Sequence, residues 1–322
     1  MARASAPAVP RTAPASLLAL LANGAELSGS AVAAELGITR AAVWKQIEQL
    51  RAHGLPIRAE AGHGYRLDAP IELLEATRIE AAISGEIRAR VGTIDVHWQI
   101  DSTAPRACLA EIQTQGRGRR GRAWQLPLAG GIALSFLRRF DCGMAELAGL
   151  SLVAGIAVVR ALARTGVGRV ALKWPNDIVA NGRKLGGILV ELGGDALGPC
   201  HAIVGIGVNV RVPDARGATI GQPWTDLAAL TGDNVPSRNM LAGRVLADLA
   251  GALDDFETSG FAAFENEYAR YDALCDREIT VTNGSETYAA TALGVTTRGA
   301  LKVLRDGVEI QIGSGEVSVR GR

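Results

Sequence analysis

Four arginines and three glycines interleave in Gly116-Arg117-Gly118-Arg119-Arg120-Gly121-Arg122, with Trp124 two residues further on. Glycines let backbone N–H groups approach a ligand, and guanidinium forks match the oxygens of phosphates and carboxylates. The chemistry such a loop suits is the handling of anions. Formally it contains GxGxxG, and Asp141 lies at the spacing of a ribose-binding acid. That fingerprint demands a helix directly after the glycines. Pro127 and Gly130-Gly131 follow instead, which disfavours a dinucleotide site. Taken alone, the loop leaves a solvated basic segment or a nucleic-acid patch open.

Further residues of the same chemical kind stand downstream. Lys173-Trp174-Pro175-Asn176-Asp177 ends a β-run, and Asn181-Gly182 is a strong hairpin turn that brings back Arg183-Lys184-Leu185-Gly186-Gly187. The expectation is that two strands joined by a two-residue turn place Lys173 and Lys184 close together. Two lysines near the acid Asp177 suit a polyphosphate with its magnesium. Gly205-Ile206-Gly207-Val208-Asn209 adds close backbone approach and an amide. No histidine occurs in these motifs, which argues against His-dependent hydrolysis. Cys108, Cys142, Cys200 and Cys275 form no CxxC unit, so neither a disulfide framework nor a zinc site is expected. A reducing cytosol suits them.

The elements that must position these residues fall into an α+β chain of 322 residues, long enough for two or three domains. The 48% apolar and 21% charged content is ordinary, the 4% aromatic content leaves the cores to aliphatic side chains, and the net charge of +1 favours no partner class. Arg3 and Arg11 before Leu17–Ala22 imitate a signal peptide, but the apolar run is short and follows Pro7, Pro10 and Pro14. The uncharged run Leu147–Val159 is too short to span a membrane and reads as a core helix. Residues 1–14 read as a disordered Ala/Pro-rich tail. A domain at 15–70 follows, with helices Ser16–Ala22, Ser28–Leu36 and Arg40–His53, then a β-wing. A mixed-sheet α+β catalytic domain spans 74–272, with an apolar helix near Met144–Arg164 and a long one at Arg238–Glu257 capped by Ser237. A small β-barrel-like domain occupies 275–322, its turns at Asn283-Gly284, Arg298-Gly299 and Asp306-Gly307.

In the third helix, Val43, Ile47 and Leu50 make one buried stripe, and Arg40, Ala41, Trp44, Lys45 and Glu48 face the other way. A small residue, two cations and a planar ring on one face suit a DNA recognition helix. Seven Arg/Lys against five Asp/Glu in residues 1–69 is too small an excess to carry that reading, so the helix-turn-helix spacing carries it. A helical interaction module is the alternative.

GRGRRGR followed by a tryptophan, KWPND, RKLGGILVEL and GIGVNV together resemble the bacterial biotin protein ligases that double as biotin operon repressors. The similarity runs from Ser16 to Arg320 and includes SGSAVAAELGITRAAVWK. It implies a winged helix-turn-helix, a ligase domain and an SH3-like C-terminal β-barrel. It also implies that biotin and ATP form biotinoyl-5'-AMP, and that biotin passes to a lysine of the biotin carboxyl carrier protein of acetyl-CoA carboxylase. Residue by residue, Ser102 and Thr103 resemble contacts to the ureido ring, with Gln113, Arg117, Gly118, Arg119, Lys184 and Gly186 also on biotin. Arg119, Arg120, Arg122, Lys173, Asn176, Asn209, Trp224 and Arg320 resemble the nucleotide contacts. For Trp224 and Arg320 taken singly, packing and surface roles stay equally open. Ser28, Ser30, Thr39, Arg40, Ala41, Trp44 and Lys45 resemble the DNA contacts. The partners implied are operator DNA and a second copy, as a homodimer in the ligand-bound state with biotinoyl-AMP as corepressor; no membrane is implied, and the location is cytoplasmic.

The chemistry agrees with the residues. A carboxylate attacking the α-phosphate of ATP joins two anions, so the site needs dense positive charge. Arg119, Lys173 and Lys184 are the catalytic candidates, with Mg²⁺ expected on the phosphates and Asp177 as its candidate ligand. Two rivals remain: a lipoate-type ligase, and a repressor that has lost ligation. The family pattern has Asn after Asp-Ser-Thr and then a helix. Here Ala104 follows, and Ala104-Pro105-Arg106 are too few for a helix, so weaker biotin binding is expected.

Overall fold

The computed structural model describes residues 13–60, 63–100, 107–213, 222–283, 285–313 and 317–321. The N-terminal unit contains α1 (Ala13–Leu21), α2 (Gly29–Leu36), α3 (Arg40–Ala52) and the wing β1 (Ile57–Glu60) and β2 (Gly64–Leu67). The caps explain the helix bounds. Ser28 Oγ accepts from the Ala31 N–H, and Thr39 Oγ1 accepts from the Ala42 N–H. Gly37, left-handed at φ 64°, closes α2. Leu17, Leu18, Leu21, Val43, Ile47 and Leu50 are fully buried between the helices. Helix α1 takes in Ala13 and Pro14, at the end of the expected tail, whereas residues 1–12 lie outside the described residues.

Two short helices, α4 (Ala76–Ala81) and α5 (Gly85–Val91), lead into a seven-stranded sheet. Its strands are β3 (Ile94–Ile100), β4 (Ala107–Gln113), β5 (Gly131–Phe140), β6 (Val170–Lys173), β7 (Asp177–Ala180), β8 (Arg183–Gly194) and β9 (Cys200–Asn209), ordered β3-β4-β5-β9-β8-β7-β6. All pairs are antiparallel except β3 with β4. Only residues 101–106 separate those two, whereas parallel neighbours are ordinarily joined by a dozen or more.

The sheet packs against α6 (Leu150–Arg164) and, past the short α7 (Leu227–Thr231), against α8 (Arg238–Ser259), followed by α9 (Glu265–Tyr271). The long helix expected from Met144 is two pieces, a 3-10 turn Met144–Leu147 and then α6. Gly149 between them is left-handed at φ 87°, and a Cβ there would fall 2.8 Å from the Phe261 ring. Beyond α9, β10 (Glu278–Asn283), β11 (Glu286–Val295), β12 (Leu301–Arg305), β13 (Val308–Ile312) and β14 (Val317–Gly321) form an antiparallel sheet ordered β13-β12-β11-β10-β14. Among the described residues no helix is long and apolar enough to cross a membrane.

The peptide that joins the N-terminal unit to the sheet is pinned in place. Glu72 accepts from Ser237 Oγ (2.7 Å), the Arg238 N–H (2.5 Å) and Asn239 Nδ2 (2.9 Å). Arg238 also donates to the Glu72 carbonyl (2.6 Å), the Gly131 carbonyl (2.8 Å) and Glu111 on β4 (2.9 Å). The Leu74 N–H donates to Glu111, and the Glu75 N–H to Asn239 Oδ1. Burial alone would raise the Glu72 carboxyl, but bonds from Asn239, Ser237 and Arg238, with the Arg78 charge, hold it below its ordinary value. The folded pKa is lowered, so this stability is full above the unfolded value and is lost as pH falls through the folded one. Thermal melts of Glu72→Gln should therefore differ from the unaltered chain at neutral pH and converge with it as pH falls through the lowered folded pKa. A constant gap across that range would refute the linkage.

Candidate active site

Strand β4 delivers Gln113 and the glycine–arginine loop to the rim of a cavity of about 1200 Å³, floored by β5, β8 and β9. The loop folds on itself: the Trp124 N–H donates to Gly116 O (2.8 Å) and the Gly118 N–H to Arg122 O (2.7 Å). A Cβ on Gly116 would stand 2.5 Å from Trp124 O, so this closure needs glycine. Arg119–Gly121 is a single 3-10 turn with Arg120 at φ 60°, and no long helix follows, in keeping with the rejected dinucleotide fingerprint. Arg117, Gly118, Arg119, Arg120 and Arg122 all line the cavity. Arg117 reaches across to Glu191 at 3.1 Å. Burial lowers the Arg119 pKa, Asp177 opposes that, and Arg120 and Arg122 reinforce it. Such crowding of cations favours an anion between them.

Lys184 and Lys173 line the same cavity, but by a different route from the one expected. Lys173 is not on the Asn181-Gly182 hairpin, which joins β7 to β8. It ends β6 opposite Asp177, while Lys184 on β8 lies opposite Val179. A three-stranded meander, rather than one hairpin, brings them to the cavity. Lys184 Nζ is 2.5 Å from Asp177 Oδ1 and 5.8 Å from the Trp124 ring centroid. Alongside, the Lys184 N–H donates to Pro223 O and the Thr225 N–H to Lys184 O, which sets Trp224 on the cavity wall.

The amides are partly committed to the fold. Asn176 Nδ2 donates to Ile188 O (2.7 Å), and Asn209 Nδ2 to Thr225 O (3.0 Å). Asn209 Oδ1 is buried without a partner among the described residues. Gly186 does not line the cavity and Gly187 does. A Cβ on Gly186 would meet Gly207 O at 2.5 Å, so that glycine serves the packing of β8 on β9. Ser102 and Thr103 lie outside the described residues, as does the side chain of Arg320, whose backbone pairs opposite Thr280.

Three features escaped the sequence reading. Trp124, quoted there without a role, packs so closely on Gly207 that a Cβ would fall 2.5 Å from its ring, and its indole N–H has no partner among the described residues. Ser135 on β5 joins the expected Gly205 in shaping the floor. Asp272, Ala273, Leu274 and Arg277 close one wall from the segment entering the C-terminal sheet, where no motif marks them. Burial and Asp95 push the Cys108 thiol up to about 11, so it is no nucleophile at neutral pH.

On α3, Arg40, Ala41, Trp44 and Lys45 are exposed, Trp44 to 59%. Ser28 and Thr39 hold the caps already described, and Ser30 Oγ lies 3.2 Å from Ser28 Oγ. The ring of Trp44 stands in water beside Arg40 and Lys45, on the face opposite the buried Val43, Ile47 and Leu50.

The fold and this cavity together define a helix-turn-helix protein that carries a cationic, anion-handling site on a mixed sheet. Residues 93–209 match the Biotin/lipoate A/B protein ligase family, 15–66 an HTH domain and 274–320 the Biotin protein ligase C terminal domain. The chain belongs to the family of bifunctional ligase/repressors. It is 36% identical to the Bifunctional ligase/repressor BirA of Salmonella typhimurium over 323 residues, covering 96% of this chain and 98% of that one. The BirA of Escherichia coli K12 is also 36% identical, with the same coverage. The biotin protein ligase from Aquifex aeolicus, solved in complex with biotin and ATP, superposes with a TM-score of 0.61 at 28% identity, over 71% of this chain and 99% of that one.

Proposed function

We propose that this cavity makes biotinoyl-AMP and that the chain then passes biotin to a lysine of the biotin carboxyl carrier protein of acetyl-CoA carboxylase. The observation that carries the reading is the convergence of Arg119, Lys173 and Lys184 on one glycine-floored cavity. A biotin carboxylate oxygen attacks the α-phosphorus, and the bond from that phosphorus to pyrophosphate breaks. Arg119, Lys173 and Lys184 hold the charge that builds on the phosphoryl oxygens. The lysine amine of the carrier then attacks the acyl carbon, AMP leaves, and the amine loses its proton. Gln113 and the Arg117–Arg119 segment hold biotin, and Arg120, Arg122, Asn176, Asn209, Trp224 and Arg320 serve the nucleotide side.

Among the described residues no group of three or more His, Cys, Asp or Glu side chains is set to cage a metal. Mg²⁺ takes one or two carboxylates plus phosphates and keeps its waters, so it would arrive on ATP. Asp177 would hold it, and when bound it neutralises charge on the departing pyrophosphate. Incubation with ATP and labelled biotin or lipoate, with and without a carrier domain, tests the assignment. Label on the carrier from biotin alone is the expected result; label from lipoate, or none, overturns it.

The second half of the reading is transcriptional. A homodimer loaded with biotinoyl-AMP binds an operator palindrome at biotin synthesis genes, with Ser28, Ser30, Thr39, Arg40, Ala41, Trp44 and Lys45 at the DNA. Arg40→Ala is expected to weaken operator binding about tenfold or more in a gel-shift titration. An unchanged midpoint would remove that face from the DNA. We place the domain boundaries at 15–70, 74–272 and 275–322, and the protein in the cytoplasm, where its four unpaired thiols are stable.

Biotin itself should bind weakly. Ala104-Pro105-Arg106, which follow Asp-Ser-Thr, lack the amide of the family pattern and are too few for its helix. An unpaired ureido group costs roughly tenfold to a hundredfold in affinity. Calorimetry beside the Escherichia coli relative decides it, and equal affinities would mean that the short connection is immaterial.

A further inference from the structure

Trp174 stands between the two lysine-bearing strands and the C-terminal sheet, in the turn that carries Lys173, Asn176 and Asp177. It is 1% exposed, and its indole N–H donates to the Gly299 carbonyl at 3.0 Å. Gly299 belongs to the β11–β12 turn, where its N–H donates to Thr296 O and the Thr296 N–H donates to Ala300 O, both at 2.8 Å. That turn is itself wedged. A Cβ on Gly299, which sits at φ 75°, would stand 2.8 Å from Gly149 Cα, and Arg298 donates to Ala145 O at 3.2 Å. On the other side of the Trp174-Pro175 turn, Ser151 Oγ donates to Pro175 O at 2.9 Å. The segment entering the C-terminal sheet adds a third hold, since the Ala273 N–H donates to Leu172 O at 2.9 Å.

A turn of three residues between two strands ordinarily needs no outside help to hold its shape. Here it is held at Trp174 and at Pro175, the strand leading into it is held at Leu172, and two of these three bonds come from the C-terminal part of the chain. The residues it carries are the ones that line the nucleotide side of the cavity. We propose that Trp174 is a positioning residue for adenylation, through which the Thr296–Ala300 turn of the C-terminal sheet sets the place of Lys173 and Asp177 relative to ATP. This rests on the reading that Lys173 faces the nucleotide. Trp174 does no chemistry. Its indole N–H and its ring together register one domain against another, and an error of about 1 Å at the reacting groups costs on the order of a hundredfold in rate.

The test compares the full chain with Trp174→Phe, Arg298→Ala and Lys173→Ala. Trp174→Phe keeps an aromatic ring and drops the N–H. Arg298→Ala loosens the same turn from an exposed position, so it keeps the proposal testable if the first variant does not fold. Single-turnover adenylation over a range of ATP concentrations and biotin affinity by calorimetry are measured on each, per folded molecule. The expected result for Trp174→Phe is a KM for ATP raised about tenfold, or a rate lowered by as much, with biotin affinity unchanged within about twofold. Arg298→Ala should move the same quantity in the same direction by less. A lowered Tm with unaltered ATP kinetics in both variants, while Lys173→Ala is impaired, overturns the proposal and leaves the site reading standing. Unaltered ATP kinetics in Lys173→Ala sinks the site reading, and the proposal with it. Equal losses in ATP and biotin binding would make Trp174 a general structural residue and overturn it too.

Discussion

Lys184→Ala is expected to slow formation of the adenylate about a hundredfold to a thousandfold while weakening biotin binding far less. The ammonium lies 2.5 Å from Asp177, so in the resting site its charge is largely spent within the protein. Negative charge concentrates on the phosphoryl group only as pyrophosphate leaves, and at that point a half-buried cation 5.8 Å from the Trp124 ring gains most. An interaction stronger in the transition state than in the ground state appears in the rate and not in affinity. Rapid-quench measurement of biotinoyl-AMP at saturating ATP, set beside biotin calorimetry, separates the two. A variant with an unchanged single-turnover rate would dismiss Lys184 from the reaction, and equal losses in rate and affinity would make it a binding residue only.

Arg238→Met carries the largest expected cost in stability. The guanidinium and Glu111 are each 5% exposed by side chain, and they lie 2.9 Å apart. Removing one partner leaves the other charge buried and uncompensated, at about 3–5 kcal/mol. Removing both in the double variant Arg238→Met, Glu111→Gln should recover a good part of that, because no naked carboxylate is left. Urea unfolding of the single and double variants measures the difference. If the double variant is no more stable than the single one, the cost lies in the lost bonds to Glu72 O and Gly131 O and not in the stranded charge.

Much of this architecture was legible because local rules act within a few residues. Ser28, Thr39 and Ser237 announce their helices through caps that need no tertiary partner, and Asn181-Gly182 supplies two consecutive positive φ angles, 51° and 72°, which is the hairpin turn. The cavity's cations were legible through their density in short motifs. What escaped depends on distant partners. The helix expected from Met144 is interrupted at the left-handed Gly149, and Phe261, over a hundred residues later, fills the space that a Cβ there would need. Helices α4 and α5, of 6 and 7 residues, are too short for a 3.6-residue period to show. Ser237-Arg238-Asn239 reads as an ordinary helix start, and only the fold reveals that its partners are Glu72 and Glu111. The wall at Asp272–Arg277 has no motif, since the register of the C-terminal sheet places it there.

The way Glu72, Leu73 and Leu74 are tied to α8 and β4 has a consequence for the DNA. A peptide between two domains ordinarily acts as a swivel, and each half of a repressor then searches for its own groove. Here the connecting peptide is bonded to α8 and β4. On the reading that two ligand-loaded copies bind one palindrome, the distance between their recognition helices would be set by how the ligase sheets face each other, and it would have to match one duplex turn, ~34 Å, or a multiple of it. On that reading half-site spacing would be a dimension of the enzyme, and a single base pair inserted between half-sites would lower operator affinity.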